Sequence, residues 1–167
     1  MGSTNSAALR TALRFARDSV HATLYEGMAA LPAFNPDVDE DPLPPPVADL
    51  RREIREANAL LFSTPEYAGG LPGSFKNLLD WTVGDDRPGS IYNKPVAWVN
   101  VAARGAPHSH ESLRRVLGYV GADIVEPACI EVPVTSDMVR EDGLVADHSV
   151  RSLLSHSLEI LADACLP

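Results

Sequence analysis

The chain has 167 residues, of which 45% are hydrophobic and 22% are charged, so its composition fits one globular domain spanning residues 1–167. Its formal net charge of −9 argues against a nucleic-acid partner, which would require a basic surface to neutralise phosphates. The acidity does not exclude an anionic ligand, because backbone N–H groups hold phosphate without any net positive charge.

The first half of the chain predicts two helices and two strands. Apolar residues at helical spacing predict a helix over residues 5–17, and a short alternating run predicts a strand over residues 20–25. Residues 33–46 are rich in proline and acidic residues and predict a loop, whose run of carboxylates we interpret as a solvated face. An amphipathic helix is expected over residues 47–58, followed by a buried strand over residues 59–63.

The second half continues the same alternation. Residues 71–82 predict a helix and residues 95–101 a second buried strand. A helix over residues 111–120 precedes a third buried strand within residues 124–134, which Pro127 and Pro133 interrupt. The last predicted helix spans residues 147–165. This order predicts a three-layer α/β/α domain with a parallel sheet and helices on both faces.

The cysteines, the apolar runs and the first residues of the sequence give no sign of a disulfide-rich, membrane-spanning or secreted protein. Cys129 and Cys165 form no CxxC pattern, so we expect two reduced, partly buried thiols. No apolar run approaches the length of about 18 residues that a membrane helix requires. Residues 1–8 lack the basic and apolar segments of a signal peptide. We therefore expect a cytoplasmic protein with no membrane partner.

One long motif follows the strand predicted at residues 59–63. A buried strand leads into a loop with three glycines and two prolines and then into a helix, at the sheet edge where α/β domains bind ligands. The segment resembles the NADPH-dependent FMN reductase family, which carries P-E-Y-N-x-S/G-x-P-G-x-L-K-N-x-x-D-W here. Nine residues match: Pro65, Glu66, Tyr67, Pro72, Gly73, Lys76, Asn77, Asp80 and Trp81. Ala68 stands where the family has Asn, and Phe75 where it has Leu.

This resemblance implies a flavodoxin-like fold, with FMN and NADPH as cofactors. The implied ring-flanking backbone is that of Pro65, Glu66, Tyr67 and Ala68 and that of Ala102, Ala103, Arg104 and Gly105. Arg104 would meet the phosphate of the nicotinamide cofactor, or it is an ordinary solvated loop arginine. We interpret His108 and His110 as loop histidines and expect no metal site and no catalytic side chain, since the flavin supplies the reactivity.

At the front of the sequence, Ser3 and Asn5 match the end of the family's phosphate loop, G-S-L-R-x-x-S-x-N. The central first strand of the fold and the rest of this loop have no counterpart. A late gene start or a truncated chain would explain this, as would direct pairing of the flanking strands at residues 20–25 and 59–63. Because few phosphate donors remain, we expect this chain to bind FMN weakly or not at all.

Two functions are therefore weighed. The resemblance implies a reductase that passes hydride from NADPH through FMN to a small-molecule electron acceptor such as a flavin or a quinone. The alternative is a degenerate flavodoxin-like binding subunit that holds no FMN. The family also implies a homodimer or homotetramer, with Phe75, Leu79 and Trp81 as candidates for an exposed apolar interface or as ordinary core residues.

Overall fold

The computed structural model describes residues 3–166. Its nine main elements follow in this order: α1 (Thr4–Arg14), α2 (Pro45–Glu56), β1 (Leu60–Phe62), α3 (Gly73–Asp80), β2 (Pro95–Asn100), α4 (Pro107–Tyr119), β3 (Asp123–Ile124), β4 (Ile130–Glu131) and α5 (His148–Asp163). Short 3-10 turns lie at Gly27–Ala30, Pro36–Val38, Glu126–Ala128 and Ser136–Met138. Most helix and strand predictions are confirmed to within a few residues.

The sheet is parallel, as predicted, and β2 is at its centre. β1 pairs with β2 through Leu60–Val96 and Phe62–Trp98. β3 and β4 pair with β2 in turn, near its start and near its end. These two short strands replace the single predicted third strand, because the turn at Glu126–Ala128, which contains Pro127, interrupts the ladder.

Side chains of β2 alternate between two cores, which is the reason for the three layers. Val96 and Trp98 pack in a core that α2, α3 and α4 cover. Val99 and Val101 pack in a second core with residues of α1 and α5. Since successive strand residues point to opposite faces, a continuous apolar run such as β2 must be covered on both sides.

The two terminal helices of the chain pack side by side and run in the same direction. Thr11 accepts a hydrogen bond from the backbone N–H of Val145, just before α5. Further along, the Ser155 hydroxyl donates to the Phe15 carbonyl, and Arg17 pairs with Asp163 at the far end. Later residues at the α1 end of the chain therefore contact later residues of α5, as expected for two parallel helices.

The strand predicted at residues 20–25 is not present. Within residues 3–166 this segment pairs with no strand, although the half-buried positions 20, 22 and 24 alternate with exposed residues at 21 and 23. The alternation is real, but a strand also requires a partner edge, and this segment does not reach β1. Direct pairing of the segments at residues 20–25 and 59–63 is therefore wrong.

One surface prediction needs correction, and one open alternative is decided by burial. Asp39 lies in the acidic loop, yet its carboxylate accepts from Arg51 at 2.7 Å and only 11% of its side chain is exposed. Of the two alternatives for Leu79 and Trp81, the core one is confirmed, because both side chains are fully buried, and Trp81 packs edge-on against Phe34. Lys76 and Asp80, four residues apart on α3, form an ion pair. None of the helices in residues 3–166 has the length and hydropathy to cross a membrane.

Candidate functional site

Three segments of the chain meet at the carboxyl edge of the sheet. The loop after β1, residues 63–72, and the loop after β2, residues 101–106, leave neighbouring parallel strands at the same edge. The start of α1 joins them, because the Ser63 hydroxyl lies 2.8 Å from Asn5 Oδ1. In open α/β sheets this edge is where ligands bind.

The loop after β1 ends in a tight two-residue turn. The N–H groups of Tyr67 and Gly70 donate to each other's carbonyl oxygens at 3.0 and 3.1 Å. Ala68 and Gly69 between them have φ values of 51° and 74°, the left-handed conformation of a type I′ turn. Asn tolerates this conformation better than Ala, so the backbone explains why the family has Asn at position 68. The Tyr67 side chain is 66% exposed at the tip.

The loop after β2 is held from inside by Asn100, the last residue of that strand. Its Oδ1 accepts from the N–H of Ala102 at 3.1 Å, and its Nδ2 donates to the carbonyl of Gly105. The N–H of Gly105 closes the turn onto the carbonyl of Ala102 at 3.0 Å. Asn100 is only 1% exposed, so the loop has a buried polar anchor and leaves Ala103 and Arg104 at its exposed tip.

The two loops are joined through the start of α4. Glu66 Oε2 accepts from the N–H groups of His108 and Ser109 at 3.0 and 3.1 Å. The hydroxyl of Ser109 donates to the carbonyl of Pro65 at 2.9 Å. His108 and His110 are therefore helical residues, and the prediction that they are loop histidines is wrong, because α4 begins at Pro107.

Ser3 and Asn5 lie at the N-terminus of α1. Ser3 is the N-cap of this helix, and its hydroxyl oxygen accepts from the N–H of Ser6 at 3.4 Å. The carboxamide of Asn5 uses its oxygen for Ser63, which leaves its N–H₂ group as the donor available to a ligand. The positive end of a helix dipole at this position suits an anion.

All ten residues predicted to line the site thus lie at this one edge. Several of their polar groups are engaged within the fold: the carbonyl of Pro65, the carboxylate of Glu66, the N–H groups of Tyr67, Ala102 and Gly105, and the oxygens of Ser3 and Asn5. In the described chain, the N–H groups of Glu66, Ala68, Gly69, Ala103 and Arg104 have no hydrogen-bond partner. They form a set of donors that a planar ligand could use.

Asn100, Ser109 and Ser63 organise this site, and the sequence analysis did not single them out. Asn100 carried a signal, because a polar residue ending an otherwise apolar strand requires partners when it is buried. Ser109 and Ser63 carried none, since their partners lie 44 and 58 residues away in the chain.

The cysteine and metal-ligating side chains of residues 3–166 add no reactive group to the site. Among residues 3–166, no cluster of three or more histidine, cysteine or acidic side chains could hold a metal ion. The prediction of two reduced, partly buried cysteines is confirmed. Burial raises the pKa of the Cys129 thiol and that of Cys165 above the usual value, which disfavours the nucleophilic thiolate.

Comparison with known proteins gives consistent matches. A family profile described as NADPH-dependent FMN reductase matches residues 1–137. An NAD(P)H-dependent FMN reductase from Pseudomonas aeruginosa is 30% identical over 164 residues, which cover 96% of this chain and 86% of that protein. A quinone reductase from Escherichia coli K12 is 30% identical over 162 residues, covering 94% and 85% of the two chains. FerB, a flavoenzyme NAD(P)H:(acceptor) oxidoreductase from Paracoccus denitrificans, superposes with a TM-score of 0.78 at 24% identity over 96% of this chain and 91% of its own.

Proposed function

Because this chain belongs to the NADPH-dependent FMN reductase family, we propose that it is an NAD(P)H-dependent reductase that holds FMN and reduces a small-molecule acceptor such as a flavin or a quinone. The observation that carries this proposal is the convergence of the two loops and the start of α1 at one sheet edge. FMN, when bound, supplies the redox chemistry, while the protein supplies position and electrostatics.

The unpaired backbone donors fit a flavin ring. Its carbonyl oxygens and ring nitrogens accept hydrogen bonds, and the loops offer the free N–H groups of Glu66, Ala68, Gly69, Ala103 and Arg104. Backbone donors on anchored turns keep their direction, because Asn100 and the type I′ turn hold them. These loops therefore would bind and orient the ring without any catalytic side chain.

The phosphate of FMN would lie at the start of α1. The N–H groups of Thr4 and Asn5 are in the first turn of this helix and make no backbone hydrogen bond in the described chain. The hydroxyl of Ser3 and the N–H₂ group of Asn5 add side-chain donors. Together with the helix dipole, these groups would stabilise a dianion.

Arg104 is suited to receive a phosphate of the nicotinamide cofactor. The chain has 14 lysines and arginines. All of them except Arg104 contact a carboxylate, a backbone carbonyl or an aromatic ring within the described chain. Arg104 has no such contact there and is exposed at the tip of the loop. In a protein with a net charge of −9, an unpaired guanidinium at the site favours an anionic group.

A homodimer or homotetramer in the cytoplasm remains part of the proposal, although Leu79 and Trp81 are core residues and supply no interface. The alternative function is a binding subunit that holds no FMN. It is favoured by the small number of donors at the start of α1, where the N–H of Ser6 is already bonded to Ser3, and it agrees with the expectation from the sequence that this chain binds FMN weakly or not at all.

The test is a titration of the purified protein with FMN, followed by NADPH oxidation with a benzoquinone as acceptor. We expect flavin fluorescence to be quenched and NADPH oxidation to depend on FMN. An Ala103→Pro variant removes one donor and should weaken FMN binding by about tenfold, whereas Ala103→Gly keeps the N–H and should bind normally. Absence of both binding and turnover in the unaltered protein would favour the binding subunit.

A further inference from the structure

α4 has no capping group of its own. Its N-cap is Ala106, whose φ is 44° and whose side chain has no polar atom. Pro107 follows as the first helical residue and has no N–H. The first N–H groups that need an acceptor are those of His108 and Ser109, and no nearby side chain on the same helix accepts from them.

The acceptor comes from the other loop of the site. Glu66 Oε2 receives both N–H groups, 42 and 43 residues away in sequence. A carboxylate at the first turn of a helix is favoured by the helix dipole as well as by the two hydrogen bonds. The hydroxyl of Ser109, which is fully buried, adds a third bond in the opposite direction, to the carbonyl of Pro65.

We infer that Glu66 is a positioning residue, which holds the loop after β1 and the start of α4 at a fixed separation. Ala106 connects α4 directly to the loop of Ala102–Gly105, so this separation also sets the distance between the two rows of free N–H groups. Through its contacts with α4, Glu66 would pre-organise the two loops, residues 63–72 and 101–106. These loops form the two sides of the proposed slot for the flavin ring. The final step of this inference rests on the proposed function, whereas the junction of loop and helix does not.

The junction can be tested without any flavin, by amide hydrogen exchange measured by NMR. In Glu66→Ala we expect the N–H groups of His108 and Ser109 to exchange about tenfold faster or more. Glu66→Gln keeps an acceptor oxygen, so its exchange rates should lie between those of the unaltered protein and those of Glu66→Ala. Glu111→Gln is the matched control, because Glu111 is an exposed carboxylate of α4 whose ion-pair partner among residues 3–166 is Arg115. Unchanged exchange in Glu66→Ala, or equal exchange in both Glu66 variants, would overturn the inference.

The second arm measures binding of FMN and of lumiflavin, which is the flavin ring without the ribityl phosphate. If Glu66 spaces the slot, Glu66→Ala should weaken both ligands by the same factor of about ten, and Glu66→Gln should recover most of the loss. Normal affinity for both ligands despite faster exchange would show that Glu66 caps α4 but does not position the two loops for the flavin, which would overturn that part of the inference. A loss confined to FMN would place its effect at the phosphate and overturn the inference.

The two arms also separate this inference from the proposed function. If the unaltered protein binds neither FMN nor lumiflavin, the proposed function fails, and with it the role of the slot. The exchange data would still show whether Glu66 joins the two loops. Ser109→Ala serves as an independent variant that removes only the bond to Pro65, and it should speed exchange at the start of α4 less than Glu66→Ala does.

Discussion

Replacing Asn100 by Asp should disconnect the loop after β2 from its anchor. Asn100 donates through Nδ2 to the carbonyl of Gly105 and, at 3.3 Å, to Glu131 Oε1, while its Oδ1 accepts from Ala102. An ionised aspartate keeps the acceptor but loses both donors. It would also place a negative charge, at a position only 1% exposed, beside the carboxylate of Glu131.

The magnitude follows from these contacts. Two lost hydrogen bonds cost about 1 kcal/mol each, and a buried charge facing two acceptors adds a further cost of similar size. A free energy of unfolding lower by about 3 kcal/mol is therefore expected. For a domain of this length, 1 kcal/mol shifts the melting temperature by about 2–4 °C, so the variant should melt about 6–12 °C lower.

The assay is thermal denaturation followed by circular dichroism, with Asn58→Asp as the matched control. Asn58 is exposed and the same charge change there should shift the melting temperature by less than about 2 °C. FMN binding should also weaken in Asn100→Asp, because the donors of Ala103 and Arg104 lose their orientation. Equal melting temperatures for the two variants would show that Asn100 does not anchor the loop.

Three further outcomes are expected. Ala68→Gly should raise the free energy of unfolding by about 1 kcal/mol in urea denaturation, because φ at this position is 51°, whereas Ala103→Gly, where φ is not positive, should give no gain. Asp39→Asn should lower the free energy of unfolding by about 2–4 kcal/mol, because it leaves the buried Arg51 guanidinium without its charge partner. A loss below about 0.5 kcal/mol would contradict this role of the ion pair. Because burial raises its pKa, the Cys129 thiol should react with a disulfide reagent at pH 7.5 far more slowly than glutathione does, and equal rates would argue against burial of the sulfur.

The predictable part of this fold is the part that local pattern determines. β1 and β2 are continuous apolar runs, and α2 and α5 have clear helical periodicity, so their positions follow from the sequence alone. The candidate site was predicted for a different reason, the long motif from Pro65 to Trp81. Its length made the assignment specific without any knowledge of distances.

The errors arose where the outcome depends on partners distant in sequence. Residues 20–25 have strand alternation but pair with no strand within residues 3–166. Asp39 looked like part of a solvated acidic run, until the fold brought the Arg51 guanidinium beside it. The backbone contact of Glu66 with a flavin stays a prediction, but no local pattern shows that its carboxylate meets the start of a helix more than 40 residues later.

The parallel packing of α1 and α5 determines how the protein can be attached to a surface. α1 begins beside Ser63, at the site edge of the sheet, whereas α5 ends near Asn58, whose carbonyl accepts from the Cys165 thiol before β1 begins. A linker joined after Leu166 would therefore leave from the opposite edge. Immobilised on an electrode through that end, the molecule would turn its proposed flavin slot toward the solution, where a diffusing electron carrier could reach it. A linker joined before Ser3 would emerge beside the slot and compete with such a carrier for access.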